Sequence, residues 1–237
     1  MQPSQNSKLI QKFKRDSSLF FQLEILKDFK KMDCETITNK ALEFSKPYYQ
    51  LPHRINAYHS WQHIQEGINL FKTHFNGSLS KKEEIIFYVS WFFHDIIYIG
   101  NSNVNEEESE KMFQYFCLLN KDFITTKSQK TISKIILSTK THKIDGTLSD
   151  NNKKINNILN DIDLFYLGDD YDIFIKRRKL IRKDFIMYSD NEFKNGSILF
   201  CNYFLEKNHL YETEVFNRKF EKNVKPNLLK YKEYLMI

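Results

Sequence analysis

The chain contains few of the residues that divide or cross-link a fold. Its 237 residues include only six glycines, four prolines and three cysteines. No stretch rich in glycine, serine or proline interrupts it, so the sequence predicts a single domain over residues 1–237. Residues 1–45 are predicted to form a helical extension packed on that domain. Three widely spaced cysteines without a CxxC pair are typical of a reduced intracellular protein and exclude a disulfide scaffold.

Segments that would enter or cross a membrane are also lacking. The apolar run at 85–99 is too short to span a bilayer and contains a histidine and an aspartate. The first fifteen residues are polar and basic, without the apolar centre of a signal peptide. We therefore expect a cytoplasmic protein without a membrane partner.

Charge is not concentrated in one region of the chain. The 36 lysines and arginines exceed the 30 acidic residues, which gives a net charge of +6, but the basic residues are scattered. Such a surface suits a small anionic substrate and does not predict a nucleic-acid partner. No feature of the sequence predicts an oligomeric state.

The sequence predicts an all-α fold. Valine is scarce, and no run alternates as paired strands do, whereas apolar residues recur at helical spacing. One or two helices are expected between residues 9 and 29, and another runs to Phe44 and is stopped by Pro47. Later helices are predicted near 106–119, 126–138, 153–165, 169–185, 197–205 and 224–235.

The most informative feature is the adjacent pair His94-Asp95 within the apolar run. Ser80 and Glu83 have the spacing of a capping box, so we expect a helix that carries this pair and ends before Gly100. An unpaired charge is costly to bury, and a divalent metal ion would supply the missing partner.

Two further pairs extend this interpretation. His59 and His63 are four residues apart, so on a helix their rings would share one face. Asp161 and Asp163 are about 200° apart around a helix, so only one of them should face a common site. A histidine pair, a His-Asp pair and an aspartate on helical segments together favour a metal site over unrelated core residues.

Three further polar features have two alternative roles each. Glu106 would hold a second metal or a water, or belong to an acidic first helical turn. His142 would bind a second metal or a phosphate oxygen, or end a helix. The basic run 176–179 is expected to be a solvated helix face, with attraction of substrate phosphate as the alternative.

Motifs distributed along the chain resemble those of a known family. They are Tyr58-His59, His63-Ile64, Trp91-Phe92-Phe93-His94-Asp95, Asn105-Glu106 with Ser109, Thr139 with His142, Asp161-Ile162-Asp163-Leu164, and Ile181-Arg182-Lys183-Asp184-Phe185. With these motifs, the chain from about residue 45 onward resembles the HD superfamily of metal-dependent phosphohydrolases, and in particular a bacterial branch of unassigned substrate. The segment 58–63 is also distantly similar to the opening signature of cyclic-nucleotide phosphodiesterases.

The resemblance implies an HD-domain-like helical bundle with a metal site in its core. The implied metal ligands are His63, His94, Asp95 and Asp163. His59 would act as the proton donor to the leaving oxygen, and Glu106 is a second catalytic candidate. His142 and Asp161 are candidates for a second metal or an alternate ligand, and Arg182 and Arg54 for substrate phosphate.

The function that the resemblance implies is cleavage of a phosphoester, a mono- or diester on a nucleotide-like molecule, by a metal-activated hydroxide. The sequence does not distinguish Mn, Mg, Fe, Co and Ni as the divalent ion. Two alternatives remain open: an HD-type di-iron oxygenase with His142 as an extra ligand, and a non-catalytic helical module that binds nucleotide or nucleic acid.

Overall fold

The computed structural model describes residues 34–237, which form nine α-helices and no β-strand. The all-α class is therefore confirmed for this part of the chain. The helices predicted between residues 9 and 29, and most of the N-terminal extension, lie outside the described residues. The helices are α1 (Cys34–Tyr49), α2 (Trp61–His74), α3 (Lys81–Phe93), α4 (Asn105–Leu119), α5 (Thr126–Ser138), α6 (Asp150–Leu164), α7 (Tyr171–Asp184), α8 (Asp190–Leu205) and α9 (Glu214–Met236).

Helix α3 is the centre of the core. It contacts α1, α2, α4, α5 and α6. Its residues from Val89 to Phe93 are all buried, which is the pattern of a helix enclosed on every side rather than of an amphipathic surface helix. A short 3₁₀ turn, Phe165–Gly168, follows α6 and packs against α7 and α9, while α9 also contacts α8.

The predicted start of α3 is confirmed. The Ser80 side chain caps the helix and the Glu83 carboxylate accepts a hydrogen bond from the Ser80 backbone, at 2.8 Å, as a capping box requires. The preceding turn contains Gly77 with a φ of 74°, a left-handed conformation that glycine adopts without steric cost.

Two helix boundaries near the candidate residues differ from the prediction. Helix α3 ends at Phe93, so His94 caps it and Asp95 lies beyond it. Adjacent helical residues point about 100° apart, so leaving the helix is what allows both side chains to turn to one point. Helix α2 begins at Trp61, so His59 lies in the preceding turn and does not share a helix face with His63.

Two other helix boundaries differ from the prediction, because the apolar pattern near them did not mark where the helix begins or ends. Pro47 lies within the last turn of α1, which continues to Tyr49. Helix α8 starts at Asp190, where Ser189 and Glu192 form a capping box that the apolar pattern alone did not predict. In the described part of the chain, no helix is both long and apolar enough to cross a membrane.

Two glycines let neighbouring segments approach closely beside the candidate residues. A Cβ atom on Gly67 would lie 2.0 Å from the Trp91 ring, so α2 and α3 are in contact there only because residue 67 has no side chain. A Cβ atom on Gly100 would lie 2.2 Å from the carbonyl oxygen of Asp184. The loop after α3 therefore packs directly on the end of α7.

Candidate metal centre

Four side chains converge on one buried point. They are His63, His94, Asp95 and Asp163, and each offers a ligand atom within 4.8 Å of all the others. The Nε2 atoms of His63 and His94 are 3.4 Å apart. The Oδ1 atom of Asp163 lies 3.3 Å from the first and 3.5 Å from the second, and Asp95 Oδ2 lies 3.2 Å from His94 Nε2.

These four residues come from segments that are distant in the sequence. His63 lies in the first turn of α2, His94 and Asp95 follow α3, and Asp163 lies at the end of α6. Both α2 and α6 pack against α3, so the same apolar core that holds the helices together also brings the donors together. The site is therefore a product of the tertiary packing rather than of any one motif.

The orientation of His94 is fixed by a backbone contact. Its Nδ1 atom lies 2.8 Å from the carbonyl oxygen of Trp91, and a hydrogen bond there requires Nδ1 to carry the proton. The Nε2 lone pair is then directed into the cluster, which is the tautomer that a metal ligand needs. Trp91 is itself held by a bond from its Nε1 to the carbonyl oxygen of Ile64, at 3.0 Å.

The electrostatics of the cluster favour a cation. Burial lowers the pKa of His94, but the charges of Asp95 and Asp163 outweigh it and raise that pKa to about 10. Conversely, burial raises the pKa of Asp95, but the nearby His94 charge brings it down to about 2. Two imidazole nitrogens and two carboxylates so close together are a donor set that fits a divalent ion with mixed nitrogen and oxygen ligands.

His59 is adjacent to the cluster but outside it. Its Nδ1 atom lies 2.9 Å from Asp184 Oδ2, and its Nε2 atom lies 3.8 Å from Asp95 Oδ2. The Tyr98 ring stacks on it with a centroid separation of 3.7 Å. Burial lowers the pKa of His59, but the charge and hydrogen bond of Asp184 more than offset this, so the pKa is raised above 6.5.

His142 contacts the cluster, whereas Glu106 is not part of it. His142 Nε2 lies 2.9 Å from Asp163 Oδ2, the carboxylate oxygen that does not face the other histidines. The backbone at His142 has a φ of 51°, in the left-handed region that few residues other than glycine adopt. Glu106 is not one of the four clustered residues. Its pKa is raised by partial burial and by the charge of Asp95.

Asp161 points away from the cluster and holds the start of α9. Its carboxylate accepts hydrogen bonds from the backbone N–H groups of Glu212 and Thr213, at 2.9 and 2.7 Å, and from the Thr213 hydroxyl at 2.6 Å. Burial raises the pKa of this carboxyl to about 6, although these hydrogen bonds oppose the shift. The structure thus separates the two aspartates of the motif: Asp163 faces the histidines and Asp161 faces the last helix.

The two arginines considered for phosphate have protein partners. Arg54 is buried and donates to the carbonyl oxygens of His59, Asp95 and Ile96. Arg182 donates to the carbonyl oxygens of Phe185 and Tyr188 and to the Asp190 carboxylate. Arg54 therefore links the turn that contains His59 to the loop that contains Asp95 through hydrogen bonds. Arg182 stabilises the turn between α7 and α8.

The basic run 176–179 is not the uniformly solvated face that we expected. Arg177 pairs with Glu66 at 2.6 Å and with Asp169 at 2.7 Å. Arg178 is only 5% exposed, lies over the rings of Phe200 and Tyr231, and donates to Ser197. Helical periodicity turns these two positions inward, toward partners from distant segments.

Two residues that contact His59 had no predicted role. Asp184 lies in the 181–185 motif, and its acidic side chain at the last residue of α7 was the available signal. Tyr98 follows the His-Asp pair by three residues, but nothing in its spacing distinguishes it from the core aromatics of the same run. Their importance appears only from their contacts with the imidazole.

Comparison with known proteins gives no match to a family model, to a curated protein sequence or to a solved structure. The site is thus defined by its chemistry, as a buried His/His/Asp/Asp cluster that could hold a metal ion, within the helical region 34–237 that the structure describes.

Proposed function

We propose that the protein is a metal-dependent phosphohydrolase of the HD type, which cleaves a nucleotide-like phosphomono- or phosphodiester in the cytoplasm. The observation that carries the proposal is the convergence of His63, His94, Asp95 and Asp163 from separate segments within 4.8 Å. A divalent ion held by such donors activates water and offsets the negative charge that develops on phosphoryl oxygens.

In this proposal, the protein's own groups position and protonate the substrate. His59 donates the proton from Nε2 to the leaving oxygen, a role that typically contributes about 10²–10⁴-fold in rate. Its Nδ1–H donates to Asp184, which fixes the ring, and Tyr98 limits its rotation by stacking. Glu106, whose pKa is raised by partial burial and by the charge of Asp95, would be the second catalytic carboxyl.

The arginines act indirectly in this scheme. The guanidinium of Arg54 holds the backbone of His59 and of Asp95, so it positions both sides of the reaction centre. Arg182 stabilises the turn that follows Asp184. Neither is assigned to the substrate phosphate, because both already donate to protein oxygens.

The test is a metal analysis combined with an assay on a panel of phosphoesters in the presence of Mn²⁺, Mg²⁺ or Co²⁺. We expect the purified protein to retain a divalent ion and to hydrolyse some members of the panel. His94→Ala and Asp163→Asn should lose both the ion and the activity, because each removes a donor from the cluster.

Matched variants show whether the loss is specific to the cluster. His74→Ala removes an imidazole from the far end of α2, and Asp161→Asn alters the aspartate that holds α9. Both should keep the metal, and Asp161→Asn should lower the stability by about 1–3 kcal/mol through its disturbed hydrogen bonds. Equal metal content in Asp163→Asn and Asp161→Asn would contradict the proposal.

A second candidate is an HD-type di-iron oxygenase, which is favoured by one observation. His142 reaches the second oxygen of Asp163 at 2.9 Å, so the carboxylate has imidazole nitrogens on both sides, as a bridge between two ions would. Two irons per chain with oxygen uptake would support this candidate. A single ion with hydrolysis of a phosphoester would exclude it.

A further inference from the structure

A cavity lies beside the candidate metal centre. Its volume is about 270 Å³, just below the roughly 300 Å³ at which small-molecule sites begin, so its size suits one part of a ligand. Its wall includes His142, whose Nε2 atom contacts Asp163. The other walls come from the end of α6 and from the segment between α8 and α9. A group attached to a phosphate at the centre could therefore extend past His142 into this cavity.

The lining of this cavity is polar and carries both hydrogen-bond donors and acceptors. Leu164 and Leu210 are the only apolar residues among those that line it. Two carboxylates, those of Asp161 and Glu212, stand against the single ammonium of Lys207, so the lining does not favour an anion. A hydroxyl group is neutral and both donates and accepts, which makes it compatible with a lining of this kind.

The two carboxylates differ in what they offer to a ligand. Asp161 already accepts three hydrogen bonds at the start of α9, from two backbone N–H groups and the Thr213 hydroxyl. The Glu212 side chain is half exposed, and its carboxylate accepts no hydrogen bond within the described part of the chain. The nearest charged atom, His209 Nε2, lies 3.7 Å from it, beyond hydrogen-bond distance. The Glu212 carboxylate is thus the one that can accept from a ligand.

Asn160 supplies an independent indication of a ligand with donor groups. It lines the cavity and is only 4% exposed, and its Oδ1 atom has no hydrogen-bond partner in the residues that the structure describes. Such an atom is normally satisfied, because an unpaired buried acceptor costs free energy. A ligand hydroxyl would donate to it, whereas a phosphate dianion, which has no proton to donate, would not.

Lys207 adds a donor to the same cavity. It makes no ion pair within the described part of the chain, and its ammonium lies over the rings of Tyr203 and Phe204, at 5.1 and 5.3 Å from their centroids. This positive charge opposes a ligand ammonium, while its N–H groups suit the oxygen of a hydroxyl. A group with several hydroxyls can therefore satisfy the acceptors and the donor together.

We propose that this cavity binds a neutral polyhydroxyl part of the substrate, a polyol or a sugar, which is attached to the scissile phosphate as the leaving group. This inference rests on the phosphohydrolase function proposed above, and the ribose of a nucleotide is one such group. Glu212 and Asn160 would accept hydrogen bonds from hydroxyls, and Lys207 would donate to a hydroxyl oxygen.

The test uses three ligands that cannot be hydrolysed and that differ at the end of a four-carbon chain: 3,4-dihydroxybutylphosphonate, butylphosphonate and 4-aminobutylphosphonate. Their binding to the full-length, metal-loaded protein is measured by calorimetry. We expect the diol to bind about tenfold more tightly than butylphosphonate, which is the effect of one hydrogen bond to a charged group. The amine should bind less tightly than the diol. Equal binding of the diol and butylphosphonate, or an amine that binds as tightly as the diol, would overturn the inference.

A matched pair of variants locates the preference in the cavity. Glu212→Met replaces the carboxylate by an apolar group of similar length and should remove most of the preference for the diol. Glu214→Met is the control, because this exposed glutamate lies two residues further on, pairs with Arg218 and does not line the cavity. It should leave the tenfold preference intact. A full preference that survives Glu212→Met would contradict the proposed site.

Asn160→Leu tests the buried acceptor. Leucine has a similar shape and removes the unpaired oxygen, so the preference for the diol should fall. The stability should be unchanged or higher, because no hydrogen bond to Oδ1 within the described part of the chain is lost. A loss of stability with an unchanged preference would show that the amide serves the fold alone and would remove it from the site.

The same experiment separates this inference from the proposed function. Hydrolysis of simple monoesters without a preference for the diol would leave the phosphohydrolase function standing and remove only the polyol subsite. Failure of the protein to retain metal or to bind any of the phosphonates would remove both. Metal content in Glu212→Met and Asn160→Leu should equal that of the unaltered protein, because neither residue is among the four donors.

Discussion

At the scale of single residues, the candidate centre depends on groups that hold other groups in place. His94 is oriented by the carbonyl oxygen of Trp91, and His59 is oriented by Asp184. Both rings donate from Nδ1, but the partner of His94 is a neutral carbonyl oxygen, whereas the Asp184 carboxylate raises the pKa of His59 against the effect of burial and so favours the charged ring, whose Nε2 also carries a proton. The same residue type is therefore a ligand at one position and a proton donor at another.

Asp184→Asn should lower kcat by about 10–100-fold, because the imidazole of His59 loses the partner that fixes its orientation. KM and metal content should not change, since Asp184 is not among the clustered donors. Steady-state kinetics and metal analysis of the same preparation check both parts of the prediction.

Two further variants accompany this measurement. Asp184→Glu keeps the carboxylate and should recover part of the rate. Asp172→Asn removes an exposed aspartate from the first turn of the same helix and should have no effect on kcat. A parallel loss of metal in Asp184→Asn would show instead that Asp184 maintains the cluster itself.

At the scale of helices, the positions of the ends matter more than the lengths. Helix α3 ends at Phe93, which lets the side chains of His94 and Asp95 turn toward His63. The close contact at Gly67 sets the distance between α2 and α3. These features are linked through Trp91, which packs on Gly67 and accepts the bond from His94.

Gly67→Ala should destabilise the protein by about 1–3 kcal/mol, because the added methyl group would overlap the buried Trp91 ring and force the helices apart. Displacement of Trp91 should also weaken metal binding. Chemical denaturation and metal titration measure the two effects.

The matched substitution is Gly196→Ala in α8. No atom lies within 4 Å of the position that its Cβ would occupy. Alanine is favoured over glycine in a helix by about 0.5–1 kcal/mol, so this variant should be unchanged or slightly stabilised. Equal destabilisation by both substitutions would contradict the role assigned to the Gly67–Trp91 contact.

At the scale of the whole molecule, the candidate centre joins elements that are far apart in the chain. An ion held by residues of α2, of α6 and of the segment after α3 would bind the folded state only, since the unfolded chain does not assemble these donors. Metal binding and folding should therefore be coupled.

Removal of metal by a chelator should lower the Tm, and readdition of the ion should restore it. At a free ion concentration about 100 times the Kd, the expected stabilisation is about 2.7 kcal/mol. Differential scanning calorimetry with and without chelator measures this shift. His94→Ala is the control, and its Tm should not respond to the ion.

Much of the fold could be predicted because helical patterns are local. The apolar spacing and the Ser80–Glu83 capping box determined the all-α class and the start of α3. The end of α3 was harder to predict, since residues 96–99 are again apolar after the helix has stopped. The start of α2 was missed for a similar reason, because nothing local shows that His59 lies in a turn.

The sequence by itself determined that the described chain is helical and that histidines and aspartates occur within its apolar segments. Only the tertiary structure decided that Asp163 faces the histidines while Asp161 holds α9, and that the imidazole of His59 contacts Asp184. The physical reason is that helix formation follows from near neighbours in sequence, whereas the partner of a buried polar group is set by packing between distant segments.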